Sequence, residues 1–172
     1  LHGYRCTGSI TQLATQIYGY QDHATQKFAH ELGSALMLTE LILNLRRDVQ
    51  QNRIYLPEDE LRQFQVSEED LLHLQPSAQL TALLAFQAQR IEEHFERALR
   101  LLPEIDRYLQ LPQLVLIALQ RALLREMADS DWPVFTQQIT LTPLRKLWIA
   151  WTTARAEKRR HRIFIRQHKR TP

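Results

Sequence analysis

The stretch Leu32-Gly33-Ser34-Ala35-Leu36-Met37-Leu38-Thr39-Glu40-Leu41-Ile42-Leu43-Asn44-Leu45-Arg46-Arg47-Asp48 decides how the chain folds. It lacks proline. With Phe28 upstream, its apolar residues Leu32, Ala35, Leu36, Leu38, Ile42 and Leu45 recur at the period of a helix with one buried face. Asp22 is a suitable N-cap, so the spacing predicts one long helix over residues 22 to about 51. Glu40, Asn44 and Asp48 stand four residues apart and make a ladder of side-chain oxygens along it. Such a ladder serves either as a solvated helix face or as part of a cation site. Arg47 beside it weakens a cation site by like-charge repulsion, and offers a direct phosphate contact instead.

Outward from this helix the helical rhythm continues. Residues 9–18 read as a shorter helix closed by a turn at Gly19. Pro57-Glu58-Asp59-Glu60 opens a short helix with acids in its first turn, and Ser67-Glu68-Glu69-Asp70 is a capping-box start for another. Residues 76–102 make a second long amphipathic helix through Leu80, Leu83, Leu84, Ile91 and Phe95. A third, over 112–127, is apolar nearly all round at its start and belongs near the centre. Pro133 is placed to open a short helix. Thr142-Pro143 opens the last, over 144 to about 158, with Leu147, Trp148 and Trp151 expected inward. No segment alternates with period two for long enough to make a sheet. The expectation is an all-α antiparallel helical array over residues 1–154, followed by a basic tail, 155–172.

Composition narrows the function classes. The 172 residues suit one domain or part of a larger one. A single cysteine, Cys6, read as small and buried, excludes an internal disulfide framework and a multi-cysteine metal site. His23, His30, His73 and His94 lack metal-ligand spacing and read as surface or capping residues. No apolar run has transmembrane length. Charge is unevenly distributed: residues 1–154 hold 14 basic and 18 acidic side chains, whereas 155–172 hold 8 basic residues against Glu157 alone. Two readings of the tail stay open. It is a disordered basic terminus, or it is drawn to an anionic membrane surface with Ile163-Phe164-Ile165 dipping into the interface. Nucleic acid is a weaker partner, because the acidic body offers no matching surface.

Several blocks together resemble the squalene/phytoene synthase family. Tyr4-Arg5-Cys6-Thr7-Gly8-Ser9-Ile10 is similar to its Y-x-V-A-G-x-V block, and Leu32 to Thr39 to L-G-x-A-x-Q-L-T. Arg53-Ile54-Tyr55-Leu56-Pro57 is similar to R-[IV]-Y-L-P. The closing Leu141-Thr142-Pro143-Leu144-Arg145-Lys146-Leu147-Trp148 looks most like the bacterial presqualene-diphosphate synthase branch. The resemblance covers the family's back half, so the first acidic motif, of D-x-x-x-D type, is expected upstream of Leu1.

The resemblance implies an isoprenoid-synthase type helical fold and head-to-head condensation of two farnesyl diphosphates with Mg2+. It implies metal ligation by Asp48, Asn44 and Glu40, and substrate contacts by Arg53, Tyr55 and Arg47. Arg53 and Tyr55 also read as anchors for the chain leaving the long helix. The implied location is cytoplasmic, peripheral on the inner face of the membrane. Set on the family's second motif, N-x-x-R-D-V-x-E-D, the sequence places Glu40, Leu43, Asn44, Arg47 and Asp48 at its Asn, Arg, Asp, Glu and last Asp. Asp48 alone matches. Met37 stands at the family's Gln, His2 at a Tyr, Thr11 at a pocket Gly and Gln120 at a Tyr. Two readings follow: a condensing enzyme with an altered site, or a non-catalytic lipid- or partner-binding member of the fold.

Overall fold

The computed structural model describes residues 2–137 and 139–168, with side chains over 8–137 and 139–167. The expected burial of Cys6 and the expected roles of His2 and Tyr4 lie outside the described side chains, and residues 169–172 of the basic tail outside the described residues.

Eight helices follow in order among the described residues: α1 (His2–Tyr18), α2 (Ala24–Gln50), α3 (Glu58–Gln63), α4 (Glu68–Leu72), α5 (Ala78–Leu101), α6 (Glu104–Arg107), α7 (Leu111–Asp129) and α8 (Pro143–His168). None of the described residues forms a strand. The long helix α2 lies between α1 and α5, which run antiparallel to it, and α7 bridges α2, α5 and α8. Phe28, Leu32 and Ile42 of α2 meet Leu83, Leu84, Ile91 and Phe95 of α5 in a core almost wholly removed from water. These are the apolar stripes that the sequence spacing anticipates.

Gly19, at φ +80, turns α1 into α2. The start of α2 is tied down from two places. The Asp22 carboxylate accepts the N–H of Ala24, the first residue of the helix, at 2.8 Å, as its position predicts, and the Asp22 carbonyl accepts the Thr25 N–H at 3.0 Å. The fully buried Asp106 of α6 accepts from the Gln21 and Asp22 backbone N–H groups, at 2.7 and 2.9 Å, and from the Thr25 hydroxyl at 2.7 Å. At its other end α2 closes with Asn52 at φ 55, the Arg53 N–H reaching back to the Asp48 carbonyl at 2.9 Å. Ser67 caps α4 through its hydroxyl, as its position predicts, and Ser77, which the sequence reading did not single out, caps α5 in the same way.

Three expectations need correction. Pro133 opens a turn rather than a helix, because Asp131 and Trp132 both take left-handed backbone angles as α7 closes. The last helix runs on to His168 instead of ending near Lys158. And Leu147, Trp148 and Trp151 are 67%, 63% and 53% exposed, so they face outward. What turns α8 this way is its other face, where Ala150, Thr153 and Ala154 lie low against the body and Glu157 meets Arg107.

Candidate functional site

The ladder sits on the C-terminal half of α2, on the side that α1 approaches. That approach depends on Gly33: a Cβ there would lie 2.8 Å from both Gly8 Cα and Thr11 Oγ1. Thr11 and Thr15 are buried at the seam, where Gln113 of α7 donates to Thr15 Oγ1 at 2.9 Å and Gln110 donates to the Gly19 carbonyl at 2.8 Å. The α1–α2–α7 junction is therefore held by amide and hydroxyl bonds within a largely apolar body.

Along the ladder Glu40 is exposed, Asn44 is half-buried and the Asp48 side chain is 14% exposed. Glu40 and Asp48 are about 12 Å apart along the helix axis, with Asn44 midway. Arg47 Nε lies 3.6 Å from Asp48 Oδ1, and its side chain is 65% exposed. Arg53 is tied to Asp48 by its backbone, while the Arg53 and Tyr55 side chains are exposed and Leu56 plugs into the core. The anchoring expected of the Arg53–Pro57 block thus falls to Leu56. The structure groups Asp48, Arg47 and Arg53 at one helix end and leaves Glu40 two turns away.

As magnesium donors, two carboxylates and an amide oxygen are right in kind. They are spread too far for one ion to touch all three, and among the described residues no group of three or more His, Cys, Asp or Glu side chains is placed to hold an ion.

Of the replaced positions outside the ladder, three are apolar or carry an unsatisfied atom, while Thr11 donates to the Gly8 carbonyl at 2.9 Å. Met37 is buried, Leu43 packs against the core, and Gln120 of α7 is half-buried with its Oε1 unpaired. Two clefts open elsewhere. One, of about 550 Å³, lies between the start of α5 and Ser130–Thr136; the other, of about 170 Å³, lies between α1 and α2 and is lined by Gln12, Thr15 and Gln26. No ladder residue lines either.

Sequence reasoning missed the polar residues that set this geometry. Asp106, Gln110 and Gln113 carry no motif, and their partners lie 81 to 102 residues away. His94 is not a surface histidine: its Nδ1 lies 2.8 Å from Glu31 Oε2, with Arg97 Nε at 3.4 Å, tying α5 to α2. Burial pushes the Glu31 carboxyl up, but bonds to His94 and Arg97 outweigh it and hold the group below its ordinary value.

The squalene/phytoene synthase family model matches residues 1–145. The chain belongs to the squalene/phytoene synthase family. The helical architecture is that of the all-α isoprenoid synthase type. The chain is similar to a protein named phytoene synthase from Mycobacterium bovis, 34% identical over 149 residues, covering 85% of this chain and 49% of the relative. It is also similar to the 15-cis-phytoene synthases of Synechocystis sp., 28% identical over 90% of this chain and 50% of the relative, and of Synechococcus elongatus, 31% identical over 84% and 51%. The chain spans about half the length of the curated relatives it matches. The blocks around Gly8, Gly33 and Arg53–Pro57, on which the resemblance rests, lie inside the matched region.

Proposed function

We propose that the whole protein condenses two prenyl diphosphates head to head, in the manner of presqualene-diphosphate synthase, with this chain forming one wall of the site. The observation carrying this reading is the family match over residues 1–145 together with Asp48, kept at the motif's last acid and mostly shielded from water. In the first step the C–O bond of one allylic diphosphate breaks, its electron pair leaving with the diphosphate. The double bond of the second prenyl chain then attacks that cation, forming the new C–C bond, and the cation left on the adduct is quenched by loss of a proton. Asp48 and Asn44 would supply part of a Mg2+ site, Glu40 lying too far along the helix to share the same ion; Mg2+ when bound neutralises charge on the leaving diphosphate. Arg47 and Arg53 take up phosphate oxygens directly, a task for which guanidinium geometry is well suited. The buried Met37 and half-buried Leu43 replace polar family residues and favour an apolar chain beside the ladder. Long apolar substrates suit a protein that works from the cytoplasm at the inner face of the membrane.

A second reading, a lipid-binding member without catalysis, is favoured by the Arg47–Asp48 contact, which occupies the one acid that matches the motif. Full-length protein incubated with Mg2+ and farnesyl diphosphate separates the two. We expect pyrophosphate release that falls roughly a hundredfold in Asp48→Ala. Release absent from the parent, or untouched by the substitution, supports the binding protein. Comparing farnesyl with geranylgeranyl diphosphate as substrate then distinguishes a presqualene-type from a phytoene-type reaction.

A further inference from the structure

One exposed helix face carries none of the candidate site residues. Along α8 the residues Leu144, Leu147, Trp148 and Trp151 step by three and four and are all exposed. The same spacing continues without a break through Arg155, Lys158, Arg159, Arg162 and Arg166, again all exposed. One face of the helix is thus apolar and aromatic in its first half and cationic in its second. Trp148 and Trp151 pack as a tilted pair at 5.4 Å, and the Arg155 guanidinium lies 5.5 Å from the Trp151 ring, joining the two halves.

The charges that do not fit this face point away from it. Glu157, the sole acid of α8, turns to the body and makes a two-pronged pair with Arg107, at 2.7 and 3.0 Å. Arg160 turns the same way and pairs with Glu104, and His161 stacks on Tyr108 at 4.5 Å. These contacts hold the segment as a helix against α6, so the outward face presents cations with no acid among them.

We infer that this outward face of α8 docks the protein on an anionic lipid bilayer, Trp148 and Trp151 entering the headgroup boundary and the cations lying along the phosphates. The inference rests on the peripheral-membrane part of the proposed function and names its surface. Tryptophan belongs at such a boundary by its amphipathic ring, and clustered Lys and Arg are attracted to acidic lipid. No described helix is long and apolar enough to cross a membrane, so the contact is interfacial. It also moves the anchor from Ile163-Phe164-Ile165 to the tryptophan pair, because Phe164 is partly covered by the body.

The test is flotation of full-length protein with phosphatidylcholine vesicles and with vesicles containing phosphatidylglycerol. We expect binding to the acidic vesicles alone, weakened by salt, with tryptophan emission shifting to the blue. Trp148→Ala/Trp151→Ala and, separately, Arg155→Gln/Lys158→Gln/Arg162→Gln should each reduce partitioning about tenfold or more. Arg160→Gln, on the inner face, should leave it unchanged. Deletion of the segment is a poorer test, since it removes Glu157 and Arg160 from α6 as well. If the parent binds and both multiple variants bind equally, the face is wrong while peripheral attachment stands. If the parent does not bind, both fall. If emission is already blue and indifferent to vesicles, a second copy or other protein covers the face, and the inference is overturned. Pyrophosphate release in detergent solution reports on the condensation independently.

Discussion

Gly33 is where α1 and α2 come closest, and only the absence of a side chain allows it. A methyl group there meets backbone at 2.8 Å, so one helix must move, whereas a methyl on Gly8 finds nothing within 4 Å. We expect Gly33→Ala to destabilise by about 1–3 kcal/mol and Gly8→Ala to cost roughly the general glycine-to-alanine effect, of either sign and below about 1 kcal/mol. Urea unfolding of the pair checks this, and equal costs would refute the close crossing. Both glycines are visible in the sequence, inside blocks whose order suggests the family; which of the two is intolerant is not. Asp106 shows the same limit more sharply. In Pro103-Glu104-Ile105-Asp106 nothing marks it, yet its carboxylate braces the turn into α2 from 81 to 85 residues away. The local reading finds Asp22, which does accept the first N–H of α2, but local spacing carries no information about a carboxylate that meets this turn only after folding.

At the scale of the element, α8 separates pattern from environment. Its apolar stripe is plain in the sequence, and an apolar stripe usually marks the face turned to the core. Here the buried side is built from small residues and from the Arg107–Glu157 pair, both of whose side chains are only 12% exposed. A pair so placed resists the loss of one partner, because the other charge is left shielded from water. We expect Glu157→Gln to cost about 1–3 kcal/mol and to speed amide hydrogen exchange selectively in the second half of α8. Unchanged protection there would show that the pair does not hold the helix. The ladder on α2 is the opposite case. Its four-residue spacing made one helix face legible in advance, and the Arg47–Asp48 contact follows from adjacency. The depth to which each rung sinks did not follow, since that depends on α1 and the groups beside it.

At the scale of the whole molecule, charged pairs link several helices around the apolar core. Glu31 joins α2 to His94 and Arg97, Glu92 pairs with Arg121 across α5 and α7, and Glu126 pairs with Arg145 across α7 and α8. Because Glu31 is held below its ordinary carboxylate value, its contribution is present above that value and is lost as pH falls through the lowered one. Stability measured by denaturant between about pH 5 and pH 3 should therefore fall less steeply in Glu31→Gln than in the parent. An identical slope would remove Glu31 from the acid response.

What the sequence determined by itself is the set of long helices and the family they belong to. Helical periodicity, caps and breakers act over three or four residues, and motif order survives as a string. Tertiary structure alone decided which residue braces the turn into α2, how far Asp48 is withdrawn from water, and which way Trp148 and Trp151 face. Each of these depends on what a side chain meets across the fold. Such meetings are set by packing between helices far apart in the chain, where Asp106, His94 and Glu157 find their partners.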